Sequence, residues 1–224
     1  MRELALFAGA GGGLLASELL GWRTVCAVEI NDYARSVLLA RQRDRMLRPF
    51  PVWDDVRTFD AKPWRGVIDV VSGGFPCQPF SSAARGRNTA INLWPQMLRI
   101  IGELEPPFIF AENVSEFAIN NASDDLESMG YQVRCVDLSA SDLGADHIRR
   151  RYWLLAHADV DGKLLRAVHD AMGSLQGIRA RLWSASPDKC GMDDGVAHRM
   201  DRLVAIGNGQ VPAVAARAWE VLTT

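Results

Sequence analysis

Glu3-Leu4-Ala5-Leu6-Phe7-Ala8-Gly9-Ala10-Gly11-Gly12-Gly13, continuing through Leu14–Leu20 to Gly21 and then Thr24-Val25-Cys26-Ala27-Val28-Glu29, is the stretch that decides the fold. A short apolar run meets a glycine-rich turn. A helical segment follows and stops at a glycine, and a second apolar run ends in an acidic residue. Strand, glycine loop, helix, strand and terminal carboxylate make the first half of a doubly wound nucleotide-binding sheet.

Working outward, the pattern repeats. A helix is expected from about Tyr33 to Met46, then a short run at Val52 before Asp54-Asp55-Val56. Val67–Val71 and Pro107–Ala111 are continuous apolar runs, as strands buried on both faces require. Helices are expected at Leu93–Glu103 and Ala118–Met129, and further strands at Gln132–Leu138 and Tyr152–Ala156. The alternation predicts an α/β fold: a doubly wound, mostly parallel, Rossmann-like sheet with helices on both faces, over residues 1–156. Residues 157–198 lose this periodicity and read as a small irregular insert. Residues 199–224 return to order with a Gly-Asn-Gly turn and a closing helix from about Val211.

The 224 residues suit one domain with a small appendage. Apolar residues at 48% and charged residues at 23% exclude a disordered chain. The net charge of −2 neither demands nor excludes a nucleic-acid partner, since binding depends on where charges sit. Of the 25 basic residues, 22 are Arg, the better residue for bidentate phosphate and base contacts. A GC-rich genome explains that bias equally well. Cys26, Cys77, Cys135 and Cys190 are widely spaced, with no metal-binding cluster, so neither a zinc site nor a disulfide framework is expected. A reducing, cytoplasmic compartment fits. Arg2 with Leu4–Ala16 has a superficial likeness to a signal peptide, which Glu3 and the glycines weaken. No stretch reaches the length of a membrane span.

Two motifs carry chemistry. In the loop Phe7–Gly12 the glycines let a ligand approach the backbone, and Glu29 can bind a ribose hydroxyl pair. No Gly-Lys-Ser/Thr follows, which disfavours a nucleotide triphosphatase. A tight turn with no ligand is the competing reading. The second motif is Gly73-Gly74-Phe75-Pro76-Cys77-Gln78-Pro79-Phe80-Ser81, where a buried strand ends and a cysteine lies between two prolines. Such a loop, at the carboxyl edge of the sheet, exposes and positions a nucleophile. By itself it reads first as an incidental loop cysteine.

With further motifs in order along the chain, the sequence resembles the DNA (cytosine-5)-methyltransferase family. Gly74-Phe75-Pro76-Cys77-Gln78-Pro79-Phe80-Ser81 is similar to its catalytic loop, and Phe7–Gly12 to its S-adenosylmethionine loop. Glu112-Asn113-Val114 resembles its Glu-Asn-Val motif. Arg149-Arg150-Arg151 resembles its Gln-x-Arg-x-Arg motif, with His147 at the Gln position. Gly207-Asn208-Gly209-Gln210-Val211-Pro212 resembles its C-terminal Gly-Asn motif. The resemblance implies methyl transfer from S-adenosylmethionine, yielding S-adenosylhomocysteine, to C5 of a cytosine flipped out of double-stranded DNA. It implies Cys77 as the nucleophile adding to C6 and Glu112 as the acid at N3. Arg149 and Arg151 are implied in the pocket near the ring oxygen and the catalytic loop. The implied cofactor contacts are Phe7, Ala8, Gly9, Gly11, Gly12, Glu29, Ile30, Asp55, Val56, Pro76, Leu93, Asn208 and Gly209. Buried-core roles compete for Ile30, Val56 and Leu93. Gln78, Ser81, Arg85 and Arg87 are the expected DNA contacts. Arg35, Arg41, Arg43, Arg45 and Arg48 form a second basic stretch that is equally a solvated helix face.

Members of this family carry a target-recognition domain between the Arg-x-Arg strand and the Gly-Asn motif. Here only about residues 157–198 occupy that place, with Arg166, Arg179, Arg181, Trp183, Lys189 and His198 as candidate DNA contacts. The expectation is a reduced recognition segment that reads a very short site or depends on a homodimer or a specificity partner. A tRNA-modifying enzyme of the same superfamily, a catalytically weak DNA-binding or regulatory relative, and a Rossmann oxidoreductase remain as alternatives.

Overall fold

A computed structural model describes residues 1–76, 92–159, 161–171, 207 and 209–224. Among these residues one seven-stranded sheet organises the molecule. Its strands are β1 (Arg2–Leu6), β2 (Arg23–Val28), β3 (Val52–Trp53), β4 (Val70–Gly74), β5 (Phe108–Asn113), β6 (Gln132–Leu138) and β7 (Arg151–His157). They lie in the order β3-β2-β1-β4-β5-β7-β6. The first five run parallel, and β7 joins β5 and β6 antiparallel. The helices are α1 (Gly12–Leu19), α2 (Asp32–Arg43), α3 (Trp94–Leu104), α4 (Glu116–Ser128), α5 (Lys163–Ala171) and α6 (Pro212–Thr223). The doubly wound, mostly parallel α/β sheet expected from the sequence is the one observed.

Alternation along the strands gives each face of the sheet a buried core. On one face Leu4, Leu6, Val28, Val71 and Ile109 meet Met97, Ile100, Ile101 and Leu104 of α3 and Ile119, Ala122 and Leu126 of α4. On the other, Val70, Phe108, Phe110, Trp153 and Leu155 meet α1 and α6, where Trp219 packs edge-on against Phe110 and Trp22. Local chemistry starts the helices. Asn31 caps α2 by accepting from Ala34 N–H (2.9 Å), and Asp32 with Arg41 and Arg43 complements its dipole. Ser115 caps α4, and Pro95 and Pro212 sit in the first turns of α3 and α6.

Two elements differ from the sequence expectation. The strand expected at Val67–Val71 lies at Val70–Gly74, and Gly73-Gly74 belong to it rather than to a loop. Both pair with β5, opposite Ala111 and Glu112, and glycine is the residue at 73 because a Cβ there would stand 2.7 Å from the Leu6 carbonyl oxygen. Within the stretch expected to be irregular, Lys163–Ala171 forms α5 and packs on α6. Its Leu165 enters the core with Val214, Trp219 and Leu222, and His169 meets Thr223. The apolar positions Leu165 and Val168 are three apart, a spacing too short in extent to stand out from sequence. Among the described residues no helix is long and apolar enough to cross a membrane.

Candidate active site

The carboxyl ends of β1, β2, β4 and β5 converge on one edge of the sheet. After β1 the chain enters the glycine loop with positive φ at Phe7 (54°), Gly9 (53°) and Gly11 (97°). Positive φ at a phenylalanine is strained and persists only where the surroundings impose it. Here Glu29, at the end of β2, imposes it: its carboxylate accepts Gly9 N–H (2.7 Å) and Asn31 N–H (2.8 Å). Ala8 N–H also donates to the Val28 carbonyl (3.1 Å). The loop and the acidic strand end are therefore one unit.

Beside that unit, Ile30 is 57% exposed, so the core role that competes for it is not the one observed. Val56 is buried in the α3-side core, and Phe7 and Leu93 pack against that same core. Asp55 holds Arg57 through both carboxylate oxygens (2.7–3.0 Å), and this contact keeps its carboxyl below the usual range. Arg35 braces the turn after β2 by donating to the Glu29 and Ile30 carbonyls (3.0 and 2.7 Å) and pairing with Asp32. Arg41 pairs with Asp44, and Arg48 with Glu18. Arg35 is thus engaged within the protein, while Arg43 and Arg45 continue the basic stretch at the far end of α2.

Glu112 lies opposite Gly74 in the β4–β5 pairing and is buried. Arg151, at the start of β7, places Nε 3.0 Å from its Oε1. The Gln210 amide donates to Oε2 at 3.5 Å. Burial pushes the Glu112 carboxyl up, opposed by the charge of Arg151, the Gln210 hydrogen bond and the charge of Arg149. Arg149 itself turns to the C-terminal motif, donating from Nη2 to the Gly207 (2.8 Å) and Gly209 (2.6 Å) carbonyls. Its buried Nε has no hydrogen-bond partner among the described residues. Asn113 fastens the chain as it leaves β4, donating to the Phe75 carbonyl (2.8 Å), and Leu93 N–H donates to the Pro76 carbonyl (3.3 Å). The chain therefore departs from and rejoins the described body beside Glu112.

The structure thus brings together Phe7, Ala8, Gly9, Gly11, Gly12 and Glu29 in one cradle, and Glu112, Arg151, Arg149 and Gly209 in another cluster, while Pro76 and Leu93 meet each other where the chain leaves and rejoins the described residues. Cys77, Gln78, Ser81, Arg85, Arg87 and Asn208 lie outside the described residues, as do Arg179, Arg181, Trp183, Lys189 and His198. Sequence reasoning passed over Gln210 and Asn113. Gln210 stood inside a motif read for its glycines and asparagine, and its signal was distributed over distant glycines that make room for it.

A family model for C-5 cytosine-specific DNA methylase matches residues 1–181. The type II methyltransferase M.NgoMIV of Neisseria gonorrhoeae is 32% identical over 163 residues, covering 69% of this chain and 51% of that protein. M.Eco47II of Escherichia coli is 35% identical over 133 residues, covering 56% of this chain and 30% of the relative. Among solved structures, a prophage-encoded E. coli protein described as a DNA modification methyltransferase superposes with a TM-score of 0.55 at 30% identity, over 70% of this chain and 46% of that one. The S. pombe Dnmt2 methyltransferase shares the fold, with a TM-score of 0.57 at 21% identity over 84% of this chain and 57% of that one. The chain spans about half, or less, of the curated relatives it matches. That family model covers well over half of the chain, and the chain belongs to the C-5 cytosine-specific DNA methylase family.

Proposed function

We propose that this protein transfers a methyl group from S-adenosylmethionine to C5 of a cytosine flipped out of duplex DNA, through a transient bond between Cys77 and C6. The observation that carries the reading is Glu112: a buried carboxyl at a strand end, paired with Arg151, beside the point where the chain enters the Pro76-Cys77 loop. C5 of cytosine is a weak nucleophile. Addition of a thiolate at C6 makes C5 enamine-like, and charge then builds on the ring. A carboxyl group facing N3 offsets that charge, and a carboxyl raised by burial keeps its proton nearer neutral pH. Arg151 fixes the orientation of Glu112 through its Nε. Arg149 holds the carbonyls of Gly207 and Gly209.

The residues of the glycine cradle fit the cofactor. Glu29 meets the backbone with both oxygens and has remaining lone pairs for ribose hydroxyls, Ile30 offers an exposed apolar wall, and the loop backbone is open at Gly9, where a Cβ would meet nothing within 4 Å. Phe7, Ala8, Gly9, Gly11, Gly12, Glu29 and Ile30 would hold it, with Asp55, Val56, Pro76, Leu93, Asn208 and Gly209 completing the site. The cofactor supplies an electrophilic methyl group. The partner is double-stranded DNA, with Gln78, Ser81, Arg85 and Arg87 on the catalytic loop as its contacts. Residues 157–198 serve as a reduced recognition segment, aided by a second copy or a specificity partner.

The test is transfer of labelled methyl from S-adenosylmethionine to duplex DNA and, separately, to tRNA, with product analysis at cytosine C5. The expected result is label in DNA, a covalent complex on DNA containing 5-fluorocytosine, and loss of both in Cys77→Ser. Label in tRNA alone would replace DNA by tRNA as the substrate. Wild-type turnover in Cys77→Ser would overturn the nucleophile.

A further inference from the structure

One side chain joins the two halves of this site. Gln210 precedes α6, and three glycines from two distant segments give way to it. A Cβ on Gly12 would overlap the Gln210 carbonyl oxygen. One on Gly13 would stand 2.5 Å from its Oε1. One on Gly74 would stand 3.2 Å from its Nε2 and 2.6 Å from Glu112 Oε2. Gly12 faces the Gln210 backbone and admits no Cβ, whereas a side chain at 13 or 74 would push the Gln210 amide or the Glu112 carboxyl out of place. The amide thus spans from the start of α1, where the glycine loop ends, to the carboxyl of Glu112. Its backbone is fixed on both sides. Arg149 grips the Gly207 and Gly209 carbonyls, and Pro212 begins a helix whose Ala213, Val214 and Ala215 are buried.

We propose that Gln210 is a positioning residue that couples the glycine loop to Glu112, so that filling the loop with cofactor sets the orientation and protonation of the Glu112 carboxyl. The proposal rests on the methyltransferase reading above. The residue type suits the task. An amide offers a donor to a carboxylate and an acceptor to a carboxylic acid, so it serves Glu112 in both states, which a carboxylate or an apolar side chain at 210 cannot do. The hydrogen bond at 3.5 Å is near the outer limit, and a small displacement of the loop is enough to make or lose it. The charged groups that face Glu112 are Arg151 from β7 and Arg149 from the segment before it. Both favour the carboxylate, while burial opposes it. Gln210 is the neutral member of this set, and the one in contact with the loop.

The experiment compares wild type with Gln210→Met, which keeps volume and removes the amide, and Gln210→Glu, which keeps shape. Calorimetry of S-adenosylmethionine binding in buffers of different ionisation enthalpy reports proton uptake without any turnover. Proton uptake in wild type, lost in Gln210→Met, is expected; equal uptake in both, or none in wild type, overturns the coupling. In turnover, kcat of Gln210→Met should fall about tenfold with KM for DNA little changed. The alkaline limb of its pH profile should move downward: Glu112 works protonated, and a cofactor-bound site that keeps that proton through the amide's acceptor ionises at lower pH without it. Gln210→Glu should move the limb the opposite way, upward, by like-charge repulsion. An unmoved limb in both variants overturns the proposal, even if kcat falls. A wild type that takes up protons on binding cofactor but methylates no cytosine overturns the methyltransferase reading and leaves the coupling standing.

Discussion

Two of the sheet's buried carboxyl groups, near opposite ends of their strands, are held in opposite ways. Glu3, near the start of β1, is 1% exposed and meets only neutral hydroxyls: Ser17 Oγ (2.7 Å) and Ser72 Oγ (2.5 Å) at Oε1, and Thr24 Oγ1 (2.6 Å) at Oε2. Glu112, at the end of β5, is 7% exposed and meets the Arg151 guanidinium and the Gln210 amide. Burial raises both above the ordinary carboxyl value. Hydroxyls rotate and serve either protonation state, so the Glu3 cage ties α1, β2 and β4 to β1 whatever the proton does. Cationic partners bias the proton and aim the group. One carboxyl is a bracket, and the other is the acid of the proposed reaction.

The sharpest way to break this contrast is to neutralise each in turn. Glu112→Gln keeps shape but removes the acid, and methyl transfer should fall by about 10²–10⁴-fold. It also leaves Arg151 beside a neutral amide, so the melting temperature should drop. Glu3→Gln should leave kcat per folded molecule within about threefold, since an amide still accepts from the hydroxyls. Single-turnover methylation with folded protein quantified by cofactor binding separates the two. A Glu3→Gln enzyme as impaired as Glu112→Gln would mean the bracket reaches the site.

The same contrast shows what the sequence could reveal. Glu112 was legible because it ends an apolar run and because Glu112-Asn113-Val114 resembles the family's Glu-Asn-Val motif. The glycine loop and Glu29 were legible because their pattern lies within one local stretch. Glu3 was read only as a mark against a signal peptide. Its partners sit at positions 17, 24 and 72, and nothing local announces that three hydroxyls will close on one carboxyl. Gln210 escaped likewise, since the glycines that admit it are 12, 13 and 74. The end of β4 was misjudged because Gly73-Gly74 has the composition of a turn, whereas pairing with β1 and β5 carries the strand through it. Strand existence follows from hydrophobic runs; long-range polar contacts do not.

Stability against pH sharpens the comparison at a smaller scale. Glu3 is raised in the folded state, so the native chain keeps a proton that the unfolded chain, ionising near about 4.3, has released. Its contribution is fully present below the unfolded value and is lost as pH rises through the folded one. Urea midpoints measured from about pH 4.3 upward should therefore decline in wild type and flatten in Glu3→Gln. Glu112 acts with the same sign, so some slope remains until it too is replaced. A slope unchanged by Glu3→Gln would mean that the hydroxyl cage fully offsets burial.

The smallest expected effects lie in the cage itself. Ser17 and Ser72 both donate to Oε1, and Ser17 also reaches the Gly13 carbonyl at 3.2 Å. Ser72→Ala removes one donor and leaves Oε1 satisfied by Ser17, a loss of about 1 kcal/mol. Ser17→Ala should cost about the same. With both gone, Oε1 is bare in a dry core, and leaving a buried oxygen unsatisfied costs more than losing one of two partners. The double variant should therefore exceed the sum of the singles by about 0.5–2 kcal/mol in chemical denaturation. Strict additivity would mean that the two serines act independently, and that the Glu3 bracket is three separate contacts rather than one shared site.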